Sequence, residues 1–210
     1  MERLHHVLLL GNGETLPAHF LKNLAAKADF ILATDGGANR ALKSGVRPHA
    51  IIGDLDSVSK ATRKELATSQ WISVPRQDNT DLEKALDFLV TNNCTRCTLC
   101  GFTGGRVDFT LGNFLSFYPY IQKIQLTLCG PGWQLQPVTH KLTVSCKPGQ
   151  RVSLLPYTIC RGIHTTGLKY PLKGETLSWK HAGHGLSNQT TGKRFTVSLT
   201  GGVLWVYWEN

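Results

Sequence analysis

The feature that most limits what this chain can become is a change of pattern near residue 130. Before it, short apolar runs at residues 7–10, 30–34, 50–53, 98–101 and 124–129 alternate with segments of helical period. That is how buried parallel strands joined by crossover helices read. In one such segment Leu82, Ala85, Leu86, Leu89 and Val90 recur at helical spacing, and Thr80 with Glu83 forms a capping-box pattern, so Asp81 is expected in a first helical turn. After Gly130-Pro131-Gly132 the runs become short and β-like with turn residues between them, as at 141–146 and 150–155. Residues 195–200 and 203–209 flank Gly201-Gly202, which predicts a closing hairpin. The expected fold class is therefore α/β plus all-β. A Rossmann-like, mostly parallel sheet with helices should occupy residues 1–130, and a β-sandwich residues 131–210.

Composition narrows the function classes. With 41% apolar and 18% charged residues the chain can bury a substantial core. No apolar run approaches the roughly 18 residues of a membrane span, and residues 7–10 lead into Gly11-Asn12-Gly13 instead of a cleavage site. A cytoplasmic protein without a membrane partner is expected. The net charge of +9 is spread over scattered Lys and Arg, without a basic run or an aromatic stripe, so no nucleic-acid partner is expected. Attraction of small polyanions such as ATP is the use that remains. Cys94, Cys97 and Cys100 are spaced like the opening of an iron–sulfur motif, yet Gly104 stands where the next cysteine would be needed, so reduced thiols are expected.

The acidic residues gather where strands end. Asp35-Gly36-Gly37-Ala38-Asn39-Arg40 places a carboxylate at a strand end and two glycines at a helix start, where backbone amides can approach phosphate; a plain helix cap is the simpler reading of Asp35. Gly53-Asp54-Leu55-Asp56-Ser57 sets two carboxylates one residue apart directly after a buried strand. If the chain stays extended they share a face and can hold a divalent cation against phosphate oxygens. Gln77-Asp78-Asn79-Thr80-Asp81 opens one helix and Gly104-Gly105-Arg106-Val107-Asp108 another. Arg106 can offset charge on a transferring phosphoryl group, although an Arg106–Asp108 ion pair and a helix-dipole role for Asp81 are equally simple. Gly11-Asn12-Gly13 fails as a dinucleotide fingerprint because Leu16 stands at the third glycine position, which leaves a phosphate-neighbouring loop or an ordinary turn.

In order and spacing these four acidic segments resemble the thiamin pyrophosphokinase family. The likeness continues through Thr166-Gly167-Leu168-Lys169-Tyr170-Pro171-Leu172 and Gly185-Leu186-Ser187-Asn188. It implies an α/β catalytic domain, a β-sandwich domain, and a homodimer holding thiamine across the subunit interface. The implied reaction moves the terminal diphosphate of ATP onto the hydroxyl of thiamine and releases AMP. The implied catalytic set is Asp54, Asp56, Asp81 and Arg106, with Mg2+ on Asp54, Asp56 and Asp81. ATP contacts are implied at Asp35, Gly36, Gly37, Asn39, Arg40, Thr80, Gly105, Arg106 and Asp108, and thiamine contacts at Gln77, Asp81, Tyr170, Ser187 and Asn188. Phe109 stands where many bacterial members carry histidine, and Tyr170 where animal members carry tryptophan. Two other readings compete: a diphosphokinase for another heterocyclic alcohol such as a hydroxymethylpterin, and a nucleotide-binding regulatory module without catalysis.

Overall fold

The apolar runs become strands that are covered on both faces, which is why they lack the alternation of a half-exposed sheet. The computed structural model describes residues 4–75 and 78–210, and the chain divides into two compact units, Met1–Pro131 and Gly132–Asn210.

In the first unit, β1 (His6–Leu10), β2 (Phe30–Thr34), β3 (Ala50–Gly53), β4 (Gln70–Ser73), β5 (Arg96–Cys100) and β6 (Gln125–Gly130) lie in the order β6-β5-β1-β2-β3-β4, and the pairings are parallel. Helices α1 (Ala18–Ala25), α2 (Asp35–Lys43), α3 (Lys60–Glu65), α4 (Asp81–Thr91) and α5 (Val107–Ser116) fill the connections. The chain winds outward from β1 through β4 and returns to the other side of β1 with β5. The loops after β1 and β5 therefore meet where the winding reverses, the usual ligand crevice of such sheets. They are zipped together, with the amides of Gly11, Gly13 and Glu14 donating to the carbonyls of Cys100, Gly101 and Thr103 at 2.9, 2.5 and 2.8 Å. Strand β4 was not legible as an apolar run: its Gln-Trp-Ile-Ser sequence is a half-exposed edge.

Helix α4 begins as its sequence predicts. The Thr80 hydroxyl accepts from the Glu83 amide at 3.3 Å while Glu83 Oε2 accepts from the Thr80 amide at 2.8 Å. Thr80→Ala is expected to cost about 1 kcal/mol in a urea titration, the usual value of such a cap.

The second unit contains two antiparallel sheets. One has the order β12-β9-β14-β7, built from β7 (Trp133–Val138), β9 (Arg151–Pro156), β12 (Asn188–Gln189) and β14 (Leu204–Glu209). The other has the order β11-β10-β13-β8, from β8 (Lys141–Ser145), β10 (Cys160–Thr166), β11 (Lys173–Leu177) and β13 (Arg194–Ser198). Residues of both sheets, among them Val152, Leu154, Ile163, Phe195, Val206 and Trp208, share one core, which makes this unit a β-sandwich.

The expected closing hairpin is not formed. Strand β13 pairs with β8 and β10, whereas β14 pairs with β7 and β9, so Gly201-Gly202 carries the chain from one sheet to the other. Gly201 bridges Arg161, and a side chain at Gly202 would lie 2.3 Å from the Ile159 carbonyl. Tertiary packing, not a local turn, requires the glycine at 202, whereas position 201 has open space for a side chain.

Candidate active site

Asp35, Asp54 and Asp56 present oxygens that all lie within 4.8 Å of one another. Asp35 is the first residue of α2, follows a fully covered strand and is 1% exposed. Gly53 makes this possible, because a Cβ there would stand 2.1 Å from Asp35 Oδ1. The Asp54/Asp56 pair does not converge by staying extended, as its spacing suggested. Leu55 takes φ 69°, a left-handed conformation costly for a branched side chain, and the turn lets the Asp56 amide donate to Asp54 Oδ1 at 3.3 Å.

Both carboxylate oxygens of Asp35 are buried without a hydrogen-bond donor. Burial first, then the neighbouring Asp54 and the charge of Asp81, push its pKa up to about 7. Asp54 moves the other way, held below the ordinary carboxylate value first by the Asp56 amide and then by the neighbouring Asp35 carboxyl. Three converging hard oxygen donors, one of them buried and unsatisfied, fit a divalent cation such as Mg2+. In metal-free protein the sign follows directly: between about pH 4 and 7 folded Asp35 keeps a proton that the unfolded chain has lost, so stability falls as pH rises. Chelated protein should be roughly 2 kcal/mol less stable at pH 7.5 than at pH 5 by this group alone, each pKa unit being worth about 1.4 kcal/mol at most. Asp35→Asn should remove that slope in urea titrations at the two pH values.

Asp54, one of the three acids, lines a cleft of about 680 Å³ at the carboxyl ends of the strands, together with Asn12, Gly13, Gly36, Arg40, Lys84, Gly105, Arg106 and Phe109. Asp81 lines it but is not one of the three converging acids; its Oδ1 instead accepts from Lys84 Nζ at 3.2 Å. Arg106 pairs with Asp108 through two bonds of 3.1 and 2.5 Å and lies 4.5 Å over the Phe109 ring. Phe109 thus gives Arg106 an aromatic floor.

Other expected nucleotide contacts organise the loops. Asn39 donates to the Ser57 carbonyl and accepts from the Ser59 amide, and Arg40 donates to Asn12 Oδ1 at 2.8 Å and Thr15 Oγ1 at 2.7 Å. Gly36 and Gly37 make room for the protein itself, since added Cβ atoms would stand 2.2 Å from Asn12 Nδ2 and 2.2 Å from the Leu10 carbonyl. Gly105 alone of the expected glycines faces open space. Gln77 lies outside the described residues.

In the second unit Tyr170 is 62% exposed, with Lys169 Nζ 5.4 Å from its ring centre. Asn188 holds it: Asn188 Nδ2 donates to the Tyr170 carbonyl at 2.7 Å, and Oδ1 accepts from the amides of Tyr170 and Gln189 at 3.1 and 2.9 Å. Ser187 is exposed in a left-handed conformation at φ 57°, with its amide donating to Ser153 Oγ.

A model of the thiamin pyrophosphokinase catalytic domain matches residues 21–128, and one of the thiamin pyrophosphokinase vitamin B1 binding domain matches residues 139–204. The chain belongs to the thiamin pyrophosphokinase family. It is 28% identical over 188 residues to the thiamine pyrophosphokinase of Bacillus subtilis (strain 168), covering 82% of this chain and 84% of that one. The thiamin pyrophosphokinase 1 of Caenorhabditis elegans is 32% identical over 120 residues, which are 52% of this chain and 49% of the relative. The crystal structure of the Bacillus subtilis enzyme has the same fold, with a TM-score of 0.84 at 22% identity over 98% of this chain and 99% of the other. The thiamin pyrophosphokinase from Candida albicans gives 0.83 at 18% identity over 99% and 90%.

Lys84, Asn79, Phe102 and Asn113 also line the cleft, although no motif marked them as site residues. Lys84 did leave a signal, because a lysine in the first turn of a helix opposes the helix dipole. The six cysteines are free, and burial pushes the Cys97 and Cys100 thiols well above their ordinary range. Among the described residues the Asp35, Asp54 and Asp56 group is the one cluster of three or more metal-ligating side chains.

Proposed function

We propose that the chain transfers the terminal diphosphate of ATP to the hydroxyl of thiamine, giving thiamine diphosphate and AMP. The observation that carries this reading is the convergence of Asp35, Asp54 and Asp56, one of them orphaned and buried, beside a cleft open at Gly105 and Arg106. Asp35, Asp54 and Asp56 would hold Mg2+, which when bound offsets charge on the phosphate oxygens. This differs from the set expected by resemblance in giving Asp35 to the metal and releasing Asp81.

Asp81 is then available as a base. A carboxylate on a metal accepts a proton poorly, whereas Asp81 stands apart from the three ligands and is fixed by Lys84. The thiamine oxygen attacks the β-phosphorus in line, its proton passes to Asp81, and the bond from the β-phosphorus to the α–β bridging oxygen breaks to release AMP. Arg106 on its aromatic floor binds the nucleotide phosphates, and the amide of Gly105 can approach them closely. Tyr170 stacks on thiamine, Ser187 donates a hydrogen bond, and Asn188 fixes the Tyr170 backbone.

We also propose a homodimer with thiamine held across the interface. Helix α5 supports it: no residue of α5 is buried, and Val107, Phe109, Leu111 and Leu115 are 72, 56, 59 and 69% exposed. Such an apolar helix calls for a second surface. No helix among the described residues is long and apolar enough to cross a membrane. Together with six free thiols, this suits a cytoplasmic location.

The deciding assay incubates protein with ATP, Mg2+ and thiamine and separates AMP from ADP. Formation of AMP in step with thiamine diphosphate is expected. ADP formation would replace the reading with monophosphate transfer, and the absence of either would replace it with a binding module. Substituting a hydroxymethylpterin for thiamine should give no AMP.

A further inference from the structure

Lys84 is a lysine where the fold has little use for one. Its side chain is 5% exposed, whereas its partner Asp81 is 41% exposed and can be satisfied by water. It lies in the first turn of α4, the end at which a cation is disfavoured by the helix dipole. The other residues that α4 buries are the apolar Leu82, Ala85, Leu86 and Leu89, so packing at this position calls for an apolar stem but not for a charged head. A buried ion pair of this kind adds little stability compared with an apolar side chain of the same size. Helical side chains lean toward the N-terminus of their helix, and this carries the ammonium into the cleft lining with Asp54 and Asp81.

We infer that Lys84 is a phosphate-contacting catalytic residue, whose ammonium binds non-bridging oxygens of the diphosphate being transferred. An ammonium has three donor hydrogens, and among the described residues the recorded bond of Lys84 Nζ is the one to Asp81. The remaining donors point to an anion in the cleft, not to a protein group. Arg106 cannot stand in for it, because Arg106 is 71% exposed at the rim and already gripped by Asp108. Lys84 thus supplies a compact, desolvated charge on the acidic wall, where an anion approaching Asp54 and Asp81 most needs one. The inference rests on the diphosphotransfer reading, and its test separates the two.

The test uses inorganic diphosphate with excess MgCl2 as the probe, titrated calorimetrically into the full chain and into Lys84→Met. Affinity should fall at least about tenfold in the variant, the scale of a lost hydrogen bond to a charged group, with the thermal midpoint little changed. Turnover should fall further than affinity, and in Lys84→Ala tens of millimolar ethylammonium should restore it at least about tenfold. Unchanged diphosphate affinity in folded Lys84→Met overturns the inference, as does loss of turnover without amine rescue, which would leave Lys84 as a support for Asp81. If Lys84→Met does not fold, Lys84→Gln is titrated in its place. Should the unmodified chain bind diphosphate yet release no AMP with thiamine, the functional reading fails while the binding arm still decides the Lys84 contact.

Discussion

Asp54→Asn and, separately, Asp56→Asn are expected to lower turnover at least about a hundredfold while the fold stays intact. Each variant removes a charged oxygen from the group that converges within 4.8 Å, and an amide replaces a carboxylate with a far weaker ligand. Asp56 is exposed and Asp54 only half-buried, so the cost in stability should be near half a kcal/mol, as for other surface changes. Circular dichroism and a thermal melt establish the fold, AMP formation gives the turnover, and a Mn2+ titration gives the metal affinity. All three readouts are needed, because a loss of turnover with unchanged Mn2+ binding would point to the nucleotide instead of the metal. Near-wild-type turnover in both variants would sink the assignment.

The reach of the sequence differed from one level to the next. Strand ends and the acids on them were legible, since burial on both sides leaves continuous apolar runs and the carboxylates follow them directly: Asp35 after β2, Asp54 after β3. The capping box at Thr80 was legible for the same reason, being a local interaction with a fixed spacing. What could not be read was decided by groups far apart in the chain. That Gly53 must lack a side chain depends on Asp35, eighteen residues earlier, and the left-handed turn at Leu55 is set by the packing that brings three acids together. The Gly201-Gly202 pair looked like a hairpin because turn chemistry is local, whereas the pairing of β13 with β8 and β10 is not. At the site, resemblance marked Asn39, Arg40 and Asn188 as ligand contacts. Their hydrogen bonds to Ser57, Thr15 and Tyr170 give them positioning work, which residue type and spacing cannot distinguish from binding.

Two nearly inactive chains are expected to restore each other if the active site is shared between subunits. Asp54→Asn removes one of the three converging carboxylates from the first unit, and Tyr170→Ala removes an exposed aromatic face from the second. The loss of stacking at Tyr170 should weaken thiamine binding about tenfold and leave ATP affinity nearly unchanged. At thiamine concentrations well below the KM of that variant, both parents are slow. In a randomly exchanged equal mixture about half of the dimers are mixed, and each mixed dimer has one site built wholly from native residues, so about a quarter of wild-type activity should appear. Exchange has to be shown by native mass first, because α5 presents so much apolar surface that the dimer can be too tight to exchange unaided; co-expression with two tags then gives the mixed dimer directly. If each site lay within a single chain, every site in a mixed dimer would carry one of the two lesions. Activity would then stay at the average of the parents. That result would reject the shared site and move Tyr170 and Ser187 to the same chain as the acids they serve.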